Sequence, residues 1–337
     1  MKDIELPRKV ITGDGAIDCI PDLANELRLW GESVVISDPT TKDIAGEKVR
    51  EYLKSTLYMV EGAADEEVEK ILAEVKKNPS IKYVAGVGGG KIIDITKVVA
   101  LKAKIPFLSI PTAASHDGIA SPQASIKGKV PTSLKAHCPI GVVADTSIIS
   151  KAPPKLNAAG CADAISNYTA VLDWKLASKE KGEYYGDYAS VLAMLSAEII
   201  IHKADEIKNN ISILVESLIS SGVAIGIAGS SRPCSGSEHS FSHVLDIICP
   251  APALHGEQCG VGTIMMAYLH KAEWEMIRDA LKKVGAPTTA KELGIEDKYI
   301  IEALTKAHNI RDRYTILRNG LSAEEAVKLA KATGVIE

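Results

Sequence analysis

The chain has 337 residues, 46% hydrophobic and 24% charged, long enough for one large domain or, better, two with a sizeable core. Its 39 basic against 43 acidic side chains give a net charge of −4, with no block of like charge. That argues against nucleic acid as a partner and leaves room for a small phosphorylated ligand, for which a few placed cations suffice.

The amino terminus, MKDIELPRKV, lacks the apolar core of a signal peptide. The six cysteines (Cys19, Cys138, Cys161, Cys234, Cys249, Cys259) show no Cys-x-x-Cys spacing, which favours a reduced, cytoplasmic protein. Residues 33–37 read as a strand and 41–53 as helical; 57–60 is a second strand, followed by an amphipathic helix over 65–77 with apolar positions 68, 71, 72 and 75. Residues 83–87 then run through Gly88, Gly89 and Gly90 into a helix over 91–102. This strand–helix alternation predicts an α/β, Rossmann-like parallel sheet over residues 1–152, its ligands beyond the carboxyl ends of the strands.

After Asp145 the pattern changes. Lys151-Ala152-Pro153-Pro154-Lys155 reads as a stiff, non-helical break, and 157–179, 184–203, 207–228 and 273–283 fit helices. An all-helical domain over 153–337 is therefore expected, with the active site in the cleft between the two. The longest apolar run, 211–229, is broken by Glu216, serines and glycines, so it reads as a buried helix and not a membrane span.

Three stretches carry chemistry. The glycines 88–90, followed by Lys91, Ile92, Ile93 and Asp94, form a strand-to-helix turn that could admit a pyrophosphate; the same spacing also makes a plain tight turn. Asp94 reads as lying on the first helical turn, where it could also simply satisfy the dipole. The next strand ends in a polar stretch, Thr112, Ala113, Ala114, Ser115, His116, Asp117 and on to Ser121, placed for a cofactor's phosphate and ribose or as a turn-rich loop. Asp38, after the strand at 33–37, is a candidate for an adenosine ribose. In the helical half, Asp163, His239 and His255 could hold a zinc-like ion, and His239 and His243, four apart, would share one helix face. Each imidazole alone could equally be structural.

At these residues the chain resembles the glycerol dehydrogenase, dehydroquinate synthase and iron-containing alcohol dehydrogenase superfamily, most of all its sn-glycerol-1-phosphate dehydrogenase branch. The resemblance runs through 88–94, 111–121, 144–146, 160–167, 170–174, 232–239 and 255–258. It implies a dehydroquinate-synthase-like fold and NAD or NADP held by 88–94, 112–115 and Ser121. It also implies one zinc ion per subunit on Asp163, His239 and His255, and substrate contacts from Asp117, Asp163 and His243, with Asp117 and His243 the catalytic candidates. The implied activity is reversible reduction of dihydroxyacetone phosphate to sn-glycerol 1-phosphate for archaeal-type phospholipids, by cytoplasmic homo-oligomers. Iron-containing relatives tend to carry a further His four residues after the metal-binding Asp; Asn167 stands there, which favours three-ligand zinc. Cys161, Cys234 and Cys259 read as small buried spacers. For the substrate phosphate, Lys127, Lys129, Lys135 and Arg232 are unranked candidates. The alternatives are a glycerol dehydrogenase acting on the unphosphorylated ketone, a dehydroquinate-synthase-like lyase and a non-catalytic nucleotide-binding protein.

Overall fold

The computed structural model describes residues 4–126 and 132–337, with the side chains of 132 and 133 also outside that description. The chain divides into two compact units, Met1–Pro153 and Pro154–Glu337.

The first unit is built from β1 (Lys9–Gly13), α1 (Ile20–Glu26), β2 (Glu32–Ser37), α2 (Pro39–Thr41), α3 (Glu47–Leu53), β3 (Thr56–Met59), α4 (Ala64–Lys77), β4 (Ile81–Gly88), α5 (Gly90–Ala103), β5 (Phe107–Pro111), β6 (Gln123–Ile126), β7 (Thr132–Lys135), β8 (Gly141–Asp145) and α6 (Thr146–Ile149). Six strands form one parallel sheet in the order β1-β8-β5-β4-β2-β3; β6 and β7 make a separate antiparallel pair. Helices cover both faces, so the central strands β5 and β8 are buried throughout. Period-two alternation sorts their neighbours: Val35, Ala85 and Val87 join the core under α1 and α3, whereas Val34, Ile36 and Val84 join the one under α4 and α5. The Rossmann-like reading holds, and the strands and the helix of residues 65–77 lie where the pattern placed them. Sequence reasoning did not anticipate β1, α1 or the β6–β7 pair.

The second unit is helical throughout: α7 (Pro154–Lys181), α8 (Asp187–His202), α9 (Ser212–Ala228), α10 (Ser237–Ile248), α11 (His255–Leu269), α12 (Trp274–Val284), α13 (Ala290–Leu293), α14 (Asp297–Lys306) and α15 (Ala323–Ala332). The central helix is α7, which packs against α8, α9, α10, α11 and α12. The Pro-Pro stretch is not wholly a break. Pro154 starts α7, because the first helical position has no N–H to satisfy and its φ is preset for a helix. Helix α9 begins at Ser212, later than expected, since 203–210 forms turns. Among the described residues no helix is long and apolar enough to cross a membrane.

Candidate metal centre and cofactor cradle

In the second unit, four side chains from three helices converge. Asp163 comes from the middle of α7, His239 from the first turn of α10, and His255 and Cys259 from one face of α11, four residues apart. Close helix packing makes this possible. A Cβ on Gly256 would lie 2.0 Å from the Ala159 carbonyl oxygen of α7, and one on Gly260 would lie 3.0 Å from the Ala162 Cβ. Only glycine lets α11 come this near α7, which brings His255 to Asp163.

One ligand-capable atom from each of the four lies within 4.8 Å of all the others. The Asp163 Oδ1 is 3.8 Å from His239 Nε2 and 3.9 Å from His255 Nε2. These separations are too long for hydrogen bonds and close to the ~3.4 Å expected of two atoms held tetrahedrally about 2.1 Å from a shared zinc ion.

The surrounding hydrogen bonds set the tautomers. His239 Nδ1 lies 3.0 Å from Glu238 Oε1, so its N–H donates to the carboxylate and the Nε2 lone pair faces Asp163. Glu238 is fully buried and also accepts from Gly236 N at 2.5 Å and from Thr169 Oγ1 at 2.8 Å. His255 Nδ1 lies 3.0 Å from Ser242 Oγ, whose own proton goes to Gln258 Oε1 at 3.0 Å, so His255 likewise turns Nε2 to the cluster. Asp173, also buried, accepts from the Ser237 backbone and hydroxyl at 2.7 and 2.6 Å, from Ile316 N at 2.6 Å, and pairs with His270 at 2.9 Å; it anchors the start of α10.

The structure therefore gathers Asp163, His239 and His255 as the motifs implied. Asn167 points elsewhere, donating to Ser221 Oγ at 2.8 Å. Cys161 and Cys234 are buried spacers, with burial pushing the Cys161 thiol up to about 12. Cys259 is not merely a spacer, since it stands in the cluster; its place four residues after His255 was the available signal. His243 does share a face with His239, and its ring centroid is 5.7 Å from that of His255. It is contacted by Arg311, a residue sequence reasoning missed.

In the first unit, the glycine turn and the stretch after β5 lie side by side at the carboxyl ends of β4 and β5, where Thr112 N donates to Gly88 O at 3.0 Å. The glycines serve close approach: a Cβ on Gly88 would lie 2.7 Å from the Ile92 side chain, and on Gly90 1.9 Å from His116 Nε2. Asp94 is not on the first helical turn but one turn further in, and it is buried. It accepts from Ser125 N at 3.1 Å through Oδ2, while Oδ1 forms an ion pair with the buried Lys97 ammonium at 3.6 Å. A cradle of small residues and a helix start fit a nucleotide cofactor. Ser121 is buried and donates through its backbone to Asp117 O at 3.2 Å. Lys97, another residue not anticipated, is fully buried and donates to Gly118 O at 2.8 Å and Gln123 O at 2.5 Å, fixing the turn that carries Asp117. Burial holds its pKa down, against the charges of Asp94 and Asp117. Asp38 caps α2, accepting from Thr40 N and Thr41 N at 2.9 and 2.8 Å.

Of the four phosphate candidates, Lys127 and Lys129 lie outside the described residues and Lys135 is exposed on β7. Arg232 is buried, paired with Glu183 and bonded to Tyr314 O at 2.8 Å.

With this geometry in place, likeness to known proteins decides the family. The chain is 52% identical to the glycerol-1-phosphate dehydrogenase [NAD(P)+] of Methanosarcina mazei, covering 99% of this chain and 97% of that one. It is 53% identical to the enzyme of the same name from Methanothermobacter thermautotrophicus, over 99% of both. The chain belongs to the glycerol-1-phosphate dehydrogenase family. The wider iron-containing alcohol dehydrogenase family matches over residues 11–153. A probable glycerol dehydrogenase from Sinorhizobium meliloti superposes with a TM-score of 0.79 at 21% identity over all of both chains, and maleylacetate reductase from Agrobacterium tumefaciens with 0.77 at 16%. These two establish that glycerol-1-phosphate dehydrogenases share their fold.

Proposed function

We propose that this chain is an NAD(P)H-dependent oxidoreductase acting on a CH–OH group, which reversibly reduces dihydroxyacetone phosphate to sn-glycerol 1-phosphate for archaeal-type phospholipids. The observation that carries it is the convergence of Asp163, His239 and His255, with both imidazoles fixed in the ligating tautomer, in a chain 52% identical to a glycerol-1-phosphate dehydrogenase. When bound, zinc would supply Lewis acidity towards the ketone, and the nicotinamide a hydride. Asp163, His239 and His255 hold the metal, oriented by Glu238 and Ser242. The turn 88–94 and residues 112–115, with Ser121, hold the cofactor. His243, beside His255, contacts the substrate with Asp117. Because Arg311 can only donate, His243 accepts at Nε2 and carries its N–H on Nδ1, from which it can donate a hydrogen bond to the substrate.

Metal content and turnover test this together: His239→Ala or His255→Ala is expected to lose both. Full activity in either variant without metal would refute the zinc assignment. Oxidation of NAD(P)H with dihydroxyacetone phosphate is expected to exceed that with dihydroxyacetone, and chiral analysis of the product to give the sn-1 isomer.

The reading extends to a cytoplasmic homo-oligomer. No disulfide joins any of the six cysteines, which suits a reducing compartment. Tyr188, Val191 and Leu195 stand 70%, 64% and 46% exposed along one face of α8, an apolar row suited to a second copy. Light scattering after gel filtration checks the assembly.

A further inference from the structure

Three arginines of the second unit gather near His243. Arg232, Arg311 and Arg313 meet around the segment 231–235: Arg311 donates to Ser235 Oγ at 3.0 Å, and Arg313 donates to Ser235 O and to Ser231 Oγ at 2.9 Å. Of the three, Arg232 has Glu183 as its counter-ion; among the described residues neither Arg311 nor Arg313 has a carboxylate within ion-pair distance. The crowding is electrostatically costly. Burial, then the neighbouring Arg311 and Arg232 charges, pushes Arg313 down to about 10, and burial also lowers Arg311. Like charges kept together this way await an anion.

The three guanidinium groups differ in what they have left to offer. Arg232 spends its fork on Glu183 and the Tyr314 carbonyl, and Arg313 on Ser231 and the Ser235 carbonyl, so both tie the segment 311–314 to the start of α10. Arg311 gives one N–H to Ser235 Oγ and one to His243 Nε2, and most of its N–H donors remain available. Its partner His243 stands on the same helix as the ligand His239 and 5.7 Å, ring to ring, from the ligand His255. In dihydroxyacetone phosphate the phosphate is only a few bonds from the carbonyl, so its cation must lie beside the metal ligands.

We infer that Arg311 is the specificity-determining residue that binds the substrate's phosphate, held in place by Ser235 and backed by the charge of Arg313. The inference rests on the functional reading above and adds to it the group that separates a phosphorylated ketone from a bare one. The planar fork suits a phosphate better than a lysine would.

The test compares Arg311→Met with the wild-type holoenzyme on dihydroxyacetone phosphate and on dihydroxyacetone. The readout is the ratio of kcat/KM for the two, because an effect passed through His243 touches both substrates alike. The substitution is expected to lower kcat/KM for the phosphorylated ketone by about 10- to 100-fold relative to the bare one. It is also expected to abolish the rise in Tm that inorganic phosphate gives the wild type. Equal losses on both substrates, with the phosphate effect on Tm retained, would make Arg311 a structural tie and overturn the inference. Should Arg311→Met fail to fold, Arg311→Gln, which keeps an N–H for Ser235 but no charge, decides by the same ratio. A wild type that prefers dihydroxyacetone overturns the functional reading instead, and the phosphate effect on Tm then still decides whether Arg311 forms an anion site.

Discussion

His239 and His255 are ordinary imidazoles until the neighbours of their Nδ1 atoms are considered. Glu238 and Ser242 accept hydrogen bonds from the Nδ1–H groups, and in doing so they choose which lone pair faces Asp163. Glu238 does this as a carboxylate: against burial, which raises its pKa, the hydrogen bonds from His239 and from the N–H of Gly236 hold it below the usual range. Glu238→Gln brings two N–H donors to a site where three donors already point at the side chain. It is therefore expected to weaken zinc affinity by about 10–100-fold, measured by competition with a chromophoric chelator. Unchanged affinity would show that the tautomer is set elsewhere. The residues legible in the sequence were those inside compact motifs, where a Gly-Ser-Glu-His or His-Gly-Glu-Gln string carries its own signature. Arg311 lies beyond those motifs and reaches the site through tertiary packing, and Lys97 sits among apolar neighbours on α5, so neither has a local pattern to betray it.

Two elements show how small features position large ones. Gly256 sits where α11 crosses α7, and a methyl there would meet the backbone carbonyl of Ala159, which no rotamer change can move aside. Gly256→Ala is expected to destabilise the second unit by about 1–3 kcal/mol and to push His255 away from Asp163, read as lower Tm and lower metal occupancy. A variant with native Tm and full zinc would mean that the crossing relaxes freely. In the first unit, Asp145 at the end of β8 caps α6 through Ser147 N at 3.0 Å and accepts from Gly15 N at 3.3 Å and Ile17 N at 3.1 Å, joining the sheet to the turn after β1. Burial raises its pKa, but the Ser147 hydroxyl and these three N–H groups outweigh that and hold it low. A depressed carboxylate stabilises the fold above its unfolded pKa of ~3.9, and the contribution fades as pH falls below that value. Asp145→Asn should therefore cost stability at neutral pH and progressively less in acid, a convergence that urea titrations at several pH values would reveal. The sequence reading mistook the start of α7 for a break because proline reads as a helix breaker until its place at the first turn is seen.

At the scale of the molecule, two kinds of periodicity built two kinds of unit. Alternating β-branched runs and helices in the first half announced a parallel sheet, and the proposed cofactor turn lies at its carboxyl ends, where such sheets leave open helix starts. Of the later helices, α7, α8, α9 and α12 were legible in the pattern, but their crossings were not, since crossings depend on glycines and on contacts distant in sequence. The assigned ligands consequently fall in separate units, the cofactor turn in Met1–Pro153 and the metal cluster in Pro154–Glu337. Each ligand should then stabilise its own unit: a site occupied at 100 times its Kd adds about 2.7 kcal/mol to the state that binds it. Amide hydrogen exchange can separate the two effects. Chelating the metal is expected to deprotect the first turns of α10 and α11 while leaving β4 and the start of α5 unchanged, and adding NAD(P)H to protect residues 88–94 and 112–115. Chelation that deprotects β4 as strongly as α10 would show that the metal supports the sheet as well, and the assignment of separate supports would fall.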